Sequence, residues 1–203
     1  MQVYATEVKK AILNSKFLFT GDDDKTSVLF EKEIDSQPGG HTIADCLIFS
    51  RSKGLIGVEI KTAHDSKARL RRQLWSYTRV CDYVWVFIHD TKLYETMDIL
   101  EDYPQVGIIC YNEINDVITP GIIREPQHCD NQLALAYDLS WATELWHLIK
   151  QMPSHGRLRG KRAYINFLVR RGKPAYQAYI NQWIDGYVAP DRRFSVYDFK
   201  ERR

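Results

Sequence analysis

Three charged side chains, Asp45, Glu59 and Lys61, occur inside two short apolar segments of the sequence. Residues 43–49 and residues 55–61 each have the composition of a β-strand, and the short polar stretch between them predicts an antiparallel hairpin. In the register that this turn predicts, Asp45 faces Glu59 across the hairpin, because side chains alternate between the two faces of a strand. Lys61 lies two residues beyond Glu59 and therefore shares that face.

This arrangement of charges is typical of a metal site. Two carboxylates directly opposite each other on neighbouring strands have Cβ atoms roughly 4.5–5.5 Å apart and repel each other. A divalent cation coordinated by Asp45 and Glu59 offsets the repulsion, and carboxylate oxygens suit Mg²⁺ or Mn²⁺. Lys61 is then placed to orient a water molecule or to neutralise a phosphate oxygen. The alternative is a solvated hairpin face on which Asp45 pairs with Lys61, but both strands are too apolar for a hairpin lying in water.

The spacing of the charged residues resembles a known nuclease motif. An acid followed fourteen positions later by the triplet Glu-Ile-Lys is similar to the core of the PD-(D/E)xK phosphodiesterase superfamily, and a Gln-x-x-x-Tyr pair twelve residues further on resembles the helix signature of its RecB-like branch. The proline that precedes the first acid in that motif is replaced here by Ala44, which leaves the ligand unchanged. The matching residues are Asp45, Glu59, Lys61, Gln73 and Tyr77.

The resemblance implies a restriction-endonuclease-like α/β fold, in which helices flank a mixed central sheet, and a nuclease that hydrolyses phosphodiester bonds in DNA with Mg²⁺ or Mn²⁺. The implied metal ligands are Asp45, Glu59 and the backbone carbonyl of Ile60, with one further acid. Lys61 would position the attacking water and offset the charge of the transition state. Gln73 would hold Lys61 or a backbone phosphate in place, and Tyr77 would brace the helix.

The further acid is expected from the first helix of such a fold. Residues 4–13 have helical periodicity, and Glu7 lies at the margin of their apolar face. We therefore expect Glu7 to be a catalytic residue and the third acidic metal ligand. Glu31 and Glu33, in the predicted strand at residues 28–34, are the alternatives, because an acid there can reach the metal across the sheet.

The pair formed by Gln73 and Tyr77 requires a helix. The sequence predicts one from about residue 67 to residue 81, on which positions four apart lie on one face. The same helix carries Arg69, Arg71 and Arg72, which we expect to contact the phosphate backbone of DNA. An ordinary solvated helix face is the alternative for these arginines.

The segments beyond the motif are those of an α/β domain. Residues 83–88 and 106–111 are continuous apolar runs, as expected of central strands covered on both faces, and residues 117–119 are a candidate for one more strand. Together with the hairpin and the helix between them, these runs predict a mixed sheet flanked by helices. A chain of 203 residues with 44% hydrophobic content can bury the core of such a domain.

The net charge is unevenly distributed along the chain. Residues 1–149 hold 15 Lys and Arg against 22 Asp and Glu, whereas residues 150–203 hold 13 against 4. We therefore expect a nuclease-like domain at residues 1–152 and a basic helical extension that binds nucleic acid at residues 153–203. The predicted phosphate contacts in the extension are Arg157, Arg159, Lys161 and Arg162.

Helical periodicity continues towards the end of the chain. Residues 141–151 and 161–171 are predicted helices, and Pro174 opens one more, which carries aromatic residues on one face. This layout resembles the small helical DNA-binding extensions of some bacterial nucleases of the MmcB and Sce7726 type. The alternative is a basic helical hairpin that packs on the nuclease sheet, with its aromatic side chains as part of the core.

Other features of the sequence bear on its setting. The four cysteines show no C-x-x-C spacing and predict reduced, buried thiols in a cytoplasmic protein. No apolar run approaches the roughly 20 residues of a membrane span, and the first residues lack the pattern of a signal peptide. Two other functions are compatible with the sequence: a catalytically inactive DNA-binding protein with a nuclease fold, and a nucleic-acid-binding regulator whose N-terminal part recognises a protein.

Overall fold

The computed structural model of the protein describes residues 2–21, 25–35, 42–115 and 117–186. The strands are β1 (Thr26–Asp35), β2 (Thr42–Ser50), β3 (Gly54–Lys61), β4 (Tyr83–His89), β5 (Gly107–Ile114) and β6 (Val117–Arg124). The helices are α1 (Gln2–Asn14), α2 (Phe17–Thr20), α3 (Leu70–Val80), α4 (Asp90–Glu101), α5 (Leu133–Asp138), α6 (Ala142–Ile149), α7 (Lys161–Arg171) and α8 (Lys173–Ile184), and a 3-10 turn, Lys67–Arg69, precedes α3. None of the described helices combines the length and the apolar character needed to cross a membrane.

The six strands that the structure describes form one mixed sheet in the order β1-β2-β3-β4-β5-β6. β1, β2 and β3 are antiparallel neighbours, β3, β4 and β5 run parallel, and β6 is antiparallel to β5. Each parallel step contains a helix, α3 between β3 and β4 and α4 between β4 and β5. This is the mixed sheet flanked by helices that the sequence predicts, and it is consistent with a restriction-endonuclease-like α/β fold.

The sheet has a hydrophobic core on each of its faces. In β4, Val84 and Val86 belong to one core, whereas Trp85 and Phe87 belong to the other. Helices α3 to α8 contribute to the first core and helices α1 and α2 to the second. The continuous apolar composition of β4 follows from this, because a strand covered on both faces needs apolar side chains at every position.

The hairpin of β2 and β3 has the register predicted from its turn. The last ladder pair that joins the two strands is Cys46 with Val58. The next positions on the two strands are therefore those of Asp45 and Glu59. The two acids lie where the paired ladder ends.

The C-terminal helices pack on the same face of the sheet as α3. Leu168 of α7 and Tyr179 of α8 are buried in that core. The ring of Trp183 stacks on Phe49 of β2, with ring centroids 4.4 Å apart and an interplanar angle of 11°. The described part of the predicted extension therefore shares a core with the sheet, as in the alternative interpretation of a hairpin packed on it. Residues 187–203, the rest of that extension, lie outside the described residues.

Candidate active site

The carboxylate of Asp45 is fixed at the point where β2 and β3 separate. Its Oδ2 atom accepts a hydrogen bond from the backbone N–H of Ile60 at 2.8 Å. The side chain thus satisfies a backbone donor of β3, which ties the carboxylate to that strand. Burial raises the pKa of Asp45, and the hydrogen bond from Ile60 and the nearby charge of Lys61 counteract part of this rise.

Tyr77 of α3 joins the two strands at the same point. Its hydroxyl oxygen accepts a hydrogen bond from the backbone N–H of Asp45 at 2.8 Å, and the hydroxyl donates one to the carbonyl of Val58 at 3.2 Å. The side chain is fully buried. Burial, and next the charges of Glu59 and Asp45, raise the pKa of Tyr77 well above its ordinary value, so the hydroxyl keeps its proton and acts as a donor.

Helix α3 approaches β3 closely because a glycine lies beneath it. A Cβ atom at Gly57 would lie 2.3 Å from Cδ1 of Tyr77 and 2.9 Å from Sγ of Cys81. Both distances are shorter than non-bonded atoms tolerate, so a larger residue would push the helix away from the sheet. Gly57 therefore sets the distance from which α3 presents its side chains to β3.

Lys61 is buried between two side chains that hold its ammonium group. Nζ donates hydrogen bonds to Oε1 of Glu59 at 2.7 Å and to Oε1 of Gln73 at 3.0 Å. Only 5% of the residue is exposed. Gln73 and Tyr77 lie one turn apart on α3, and both reach the ends of the β2–β3 hairpin. The structure thus brings together the five motif residues of the β2–β3 hairpin and α3 that the sequence singles out.

Glu59 is fully buried, and one of its two carboxylate oxygens is unpaired. Oε1 accepts the hydrogen bond from Lys61, whereas Oε2 has no hydrogen-bond partner within the part of the chain that the structure describes. Burial, and next the charge of Asp45, raise the pKa of Glu59 to about 8, although Lys61 and the nearby hydroxyl of Tyr77 lower it in part. A buried carboxylate oxygen without a partner is costly, and it is open to a cation or to a hydrogen-bond donor.

The donor atoms at this position suit a Mg²⁺ or Mn²⁺ ion. Asp45 and Glu59 offer carboxylate oxygens, which are the ligands that hard divalent cations prefer. Within the described ranges, no group of three or more His, Cys, Asp or Glu side chains is arranged to hold a metal. Mg²⁺ is commonly bound by one or two carboxylates, with water and substrate phosphates as its other ligands. A site made of two carboxylates is compatible with that mode of binding.

The first helix brings a lysine, rather than an acid, towards this site. Glu7 is exposed and forms an ion pair with Lys10 at 2.9 Å, so the structure does not bring it together with Asp45 and Glu59. Lys9 lies close enough to Asp45 that its charge lowers the pKa of that carboxyl. Lys9 is not among the residues predicted from the sequence. The signal that points to it is its place directly after Val8, which lies on the apolar face of the predicted first helix.

The two alternative acids lie on β1. Glu31 forms an ion pair with Lys9 and occupies the position opposite Asp45 in the register of β1 and β2. Its φ of 56° is in the left-handed region, which is uncommon for a residue with a Cβ atom. Glu33 is exposed. Within the described residues, neither acid forms a metal-binding group with Asp45 and Glu59.

The arginines predicted to contact DNA are at the surface near Gln73. Arg69 ends the 3-10 turn and Arg72 lies in the first turn of α3, and both are exposed. Arg71, between them, forms an ion pair with Asp102. The structure therefore leaves Arg69 and Arg72 accessible beside the helix position that contacts Lys61.

The basic residues of the C-terminal segment divide into two groups. Arg157, Arg159 and Arg162 are exposed. Lys161 forms an ion pair with Asp138 at 2.7 Å and also donates a hydrogen bond to the backbone carbonyl of that residue at 2.7 Å. Lys161 thus joins the start of α7 to the end of α5, and the three arginines remain the predicted phosphate contacts.

Comparison with known proteins gives one family and two similar structures. A family described as bacteriophage P4 protein cII matches residues 2–180. No curated protein matches the sequence. One solved structure, a protein of unknown function from Silicibacter pomeroyi (SPO1766), is 13% identical over 66% of this chain and 84% of its own, with a TM-score of 0.40. Another, Pyrococcus furiosus SfsA in complex with Ca²⁺, is 12% identical over 64% of this chain and 65% of its own, with a TM-score of 0.35.

Proposed function

We propose that this chain, which belongs to the family of bacteriophage P4 protein cII, is a metal-dependent nuclease that hydrolyses phosphodiester bonds in DNA. The observation that supports this most directly is the buried ammonium group of Lys61. It is held between Glu59 and Gln73 beside Asp45, at the spacing that resembles the PD-(D/E)xK motif. The known superfamily, and not the solved structures named above, supplies the analogy.

Energetics argues against a purely structural role for this cluster. Moving a charged group from water to the protein interior costs several kcal/mol, and replacing a buried ion pair by apolar residues is often neutral or stabilising. Glu59 and Lys61 are nevertheless both buried on a strand whose other inward positions are apolar. Buried titratable groups that interact with one another are typical of active sites.

The residues of the site divide into ligands and positioning groups. Asp45 and Glu59, with the carbonyl of Ile60, would hold Mg²⁺ or Mn²⁺, and Oε2 of Glu59 is the acceptor that no described residue uses. When bound, such an ion polarises a phosphate oxygen and lowers the pKa of a coordinated water molecule. Lys61 donates from a fixed position, so it can orient the attacking water and neutralise charge on the phosphate without reorganising.

The other side chains keep this geometry in place. Gln73 accepts a hydrogen bond from Lys61 and so fixes the direction of its remaining N–H groups. Tyr77 accepts the N–H of Asp45 and thereby holds the strand that carries this carboxylate. Lys9, paired with Glu31, is a further cation beside the site. It can offset the charge of a bound phosphate.

DNA binding is supported by the exposed cations. Arg69 and Arg72 flank the helix position that contacts Lys61, and Arg157, Arg159 and Arg162 are exposed at the start of the C-terminal helices. Contacts between such arginines and backbone phosphates provide affinity that does not depend on sequence.

The nuclease proposal is tested by cleavage of plasmid DNA and of single-stranded DNA in Mg²⁺. We expect Lys61→Ala to lower the cleavage rate by roughly 10²–10³-fold, the usual effect of removing one donor that stabilises the transition state. The matched control is Lys92→Ala, which removes a lysine that pairs with Glu95 on the surface of α4. Equal rates for the wild type and Lys61→Ala would show that the hydrolysis does not come from this site.

A DNA-binding protein that uses this fold without hydrolysis is the second candidate. One observation favours it: the acid of α1, Glu7, pairs with Lys10 rather than with the two buried acids. In that case the wild type binds DNA in Mg²⁺ and in Mn²⁺ but cleaves neither substrate. Binding without any cleavage under these conditions selects this candidate over the nuclease.

A further inference from the structure

The outer face of α3 carries an exposed aromatic ring between cations. Arg72, Trp75 and Arg79 are spaced by three and four residues, so they lie on one side of the helix. Leu74 and Tyr77 face the sheet on the other side and are fully buried. Trp75 is 46% exposed, so part of its ring is open to solvent.

The indole ring of Trp75 is covered on one side by a guanidinium group. The Cζ atom of Arg79 lies 4.2 Å from the centre of the ring, which is a cation–π contact. This contact holds the ring in place, while nearly half of the residue stays accessible to solvent. A flat, fixed and partly open aromatic ring is the kind of surface on which a planar ligand stacks.

The charge of the segment selects a polyanion as the ligand. The 3-10 turn and α3 contain five basic side chains and no acidic one. Two of these cations form ion pairs, Lys67 with Asp98 and Arg71 with Asp102. The other three are Arg69, Arg72 and Arg79, and Arg79 is the one that contacts the ring of Trp75.

The ring and the candidate active site are close along the same helix. Trp75 follows Gln73 by two residues, about 3 Å along the helix axis, and Gln73 contacts Lys61. Residues two apart point to nearly opposite sides of a helix, so a nucleic-acid strand on the outer face of α3 lies across the helix from Gln73 and Lys61, at about the same level along its axis.

We infer that the outer face of α3 binds single-stranded DNA, with a base stacked on Trp75 and backbone phosphates at Arg72 and Arg79. Unpaired bases stack readily on aromatic side chains, whereas the bases of an intact duplex are stacked on one another and present only their edges. This inference rests on the proposed nuclease function. It specifies the substrate as a DNA strand with unpaired bases.

The test compares two DNA ligands in the absence of divalent metal. One is a fluorescent oligothymidylate of about 12 nucleotides, within the length that one single-strand site covers. The other is a covalently closed duplex, which has neither ends nor unpaired bases. We expect Trp75→Ala to weaken oligothymidylate binding by about 5- to 150-fold, equivalent to about 1–3 kcal/mol for one stacked base. We expect its affinity for the closed duplex to stay within about twofold of the wild type.

Two further variants separate stacking from loss of structure. Trp75→Phe keeps an aromatic face and should recover most of the affinity for the oligothymidylate. Tyr94→Ala removes an aromatic side chain that is 94% exposed on α4 and should change neither affinity. Unchanged binding by Trp75→Ala, or an equal loss for both DNA ligands, would overturn the inference.

Cleavage assays distinguish this inference from the proposed function. We expect Lys61→Ala to lose hydrolysis while its binding of the oligothymidylate still depends on Trp75. If binding depends on Trp75 but the wild type hydrolyses no DNA in Mg²⁺ or Mn²⁺, the nuclease proposal is overturned and the binding site is upheld. The opposite outcome is also possible: hydrolysis is lost in Lys61→Ala but not in Trp75→Ala, and Trp75→Ala binds the oligothymidylate normally. This outcome upholds the nuclease proposal and overturns the binding site.

Discussion

The substitution Tyr77→Phe removes one oxygen atom from the junction of β2, β3 and α3. In the wild type this hydroxyl accepts the backbone N–H of Asp45 at 2.8 Å and donates to the carbonyl of Val58 at 3.2 Å. The carbonyl can keep a second hydrogen bond through its other lone pair, but the N–H has only one proton to donate. A buried donor left without a partner costs about 1–3 kcal/mol, so we expect the free energy of unfolding to fall by about that amount.

A matched control is available in the same core. Tyr137 of α5 is also fully buried, but its hydroxyl has no hydrogen-bond partner among the described residues. Tyr137→Phe removes the same oxygen atom from an apolar setting, so stability should be unchanged or slightly higher. The contrast between the two variants isolates the hydrogen bonds of Tyr77 from the general effect of removing a buried hydroxyl.

Both variants are measured by urea unfolding followed by circular dichroism, with the m-value as a check on two-state behaviour. For a chain of this size, each kcal/mol lowers the melting temperature by about 2–4 °C. The cleavage rate of Tyr77→Phe should also fall at a temperature at which the variant is folded, because the strand that carries Asp45 is no longer tied to α3. Equal stabilities for Tyr77→Phe and Tyr137→Phe would show that the bridge between the strands contributes nothing.

Three further predictions concern Gly57, Asp45 and Asp82. Gly57→Ala should lower the free energy of unfolding by about 1–3 kcal/mol, because the added Cβ atom would overlap Tyr77. The measurement is a urea titration, and an unchanged unfolding midpoint would contradict the close approach of α3 to β3. Asp45→Asn should weaken Mn²⁺ binding at least about tenfold in calorimetry, whereas Glu7→Gln should leave it unchanged because Glu7 pairs with Lys10; the reverse result would restore Glu7 as the ligand. Burial raises the pKa of Asp82 above 3.8, so its contribution to stability is complete below pH 3.8 and is lost as the pH rises through the higher pKa of the folded state. As the pH rises through that pKa, the free energy of unfolding of the wild type should therefore decline relative to that of Asp82→Asn. Parallel pH profiles of the two proteins would contradict the raised pKa of Asp82.

The parts of the site that the sequence predicts are those governed by local geometry. The period of two along a strand and the short turn determine which residue of β2 faces Glu59, and the observed ladder has that register. The period of the helix places Gln73 and Tyr77 on one face in the same way. These relations involve residues close together in the chain, so they can be predicted without knowledge of the rest of the fold.

The rotation of α1 about its own axis, relative to the sheet, cannot be predicted from local periodicity in the sequence. Glu7 and Lys9 lie on opposite flanks of the buried Val8, and the rotation of the helix about its axis decides which of the two faces Asp45. That rotation is set by how Val8 and Ile12 pack against β-strand side chains of the second core, many residues away in sequence. Helices α2, α4 and α5 were not predicted either, since α2 and α5 are short and α4 has only three buried residues.

The position of the C-terminal helices also depends on contacts distant in sequence. Oδ2 of Asp82 accepts hydrogen bonds from the N–H of Leu55 at 2.7 Å and from the hydroxyl of Tyr176 at 2.5 Å, and Oδ1 accepts one from Nδ2 of Asn131 at 3.0 Å. One carboxylate thus joins β3, the segment before α5 and α8, although Tyr176 lies 94 residues further along the chain. Charge composition separates residues 150–203 from the rest of the chain, but composition does not report packing of this kind.

The charges around the β2–β3 hairpin favour the proposed cation. Asp45 and Glu59 carry two negative charges when ionised, and Lys61 supplies one positive charge to the buried pair. Lys9 is close, but its ammonium group is engaged by Glu31. With both carboxyl groups ionised, the balance of charge at the end of the hairpin is negative, and Oε2 of Glu59 has no hydrogen-bond partner within the described ranges. The proposed dication would answer both features at once, because it would supply the missing charge and would take the unpaired oxygen as a ligand.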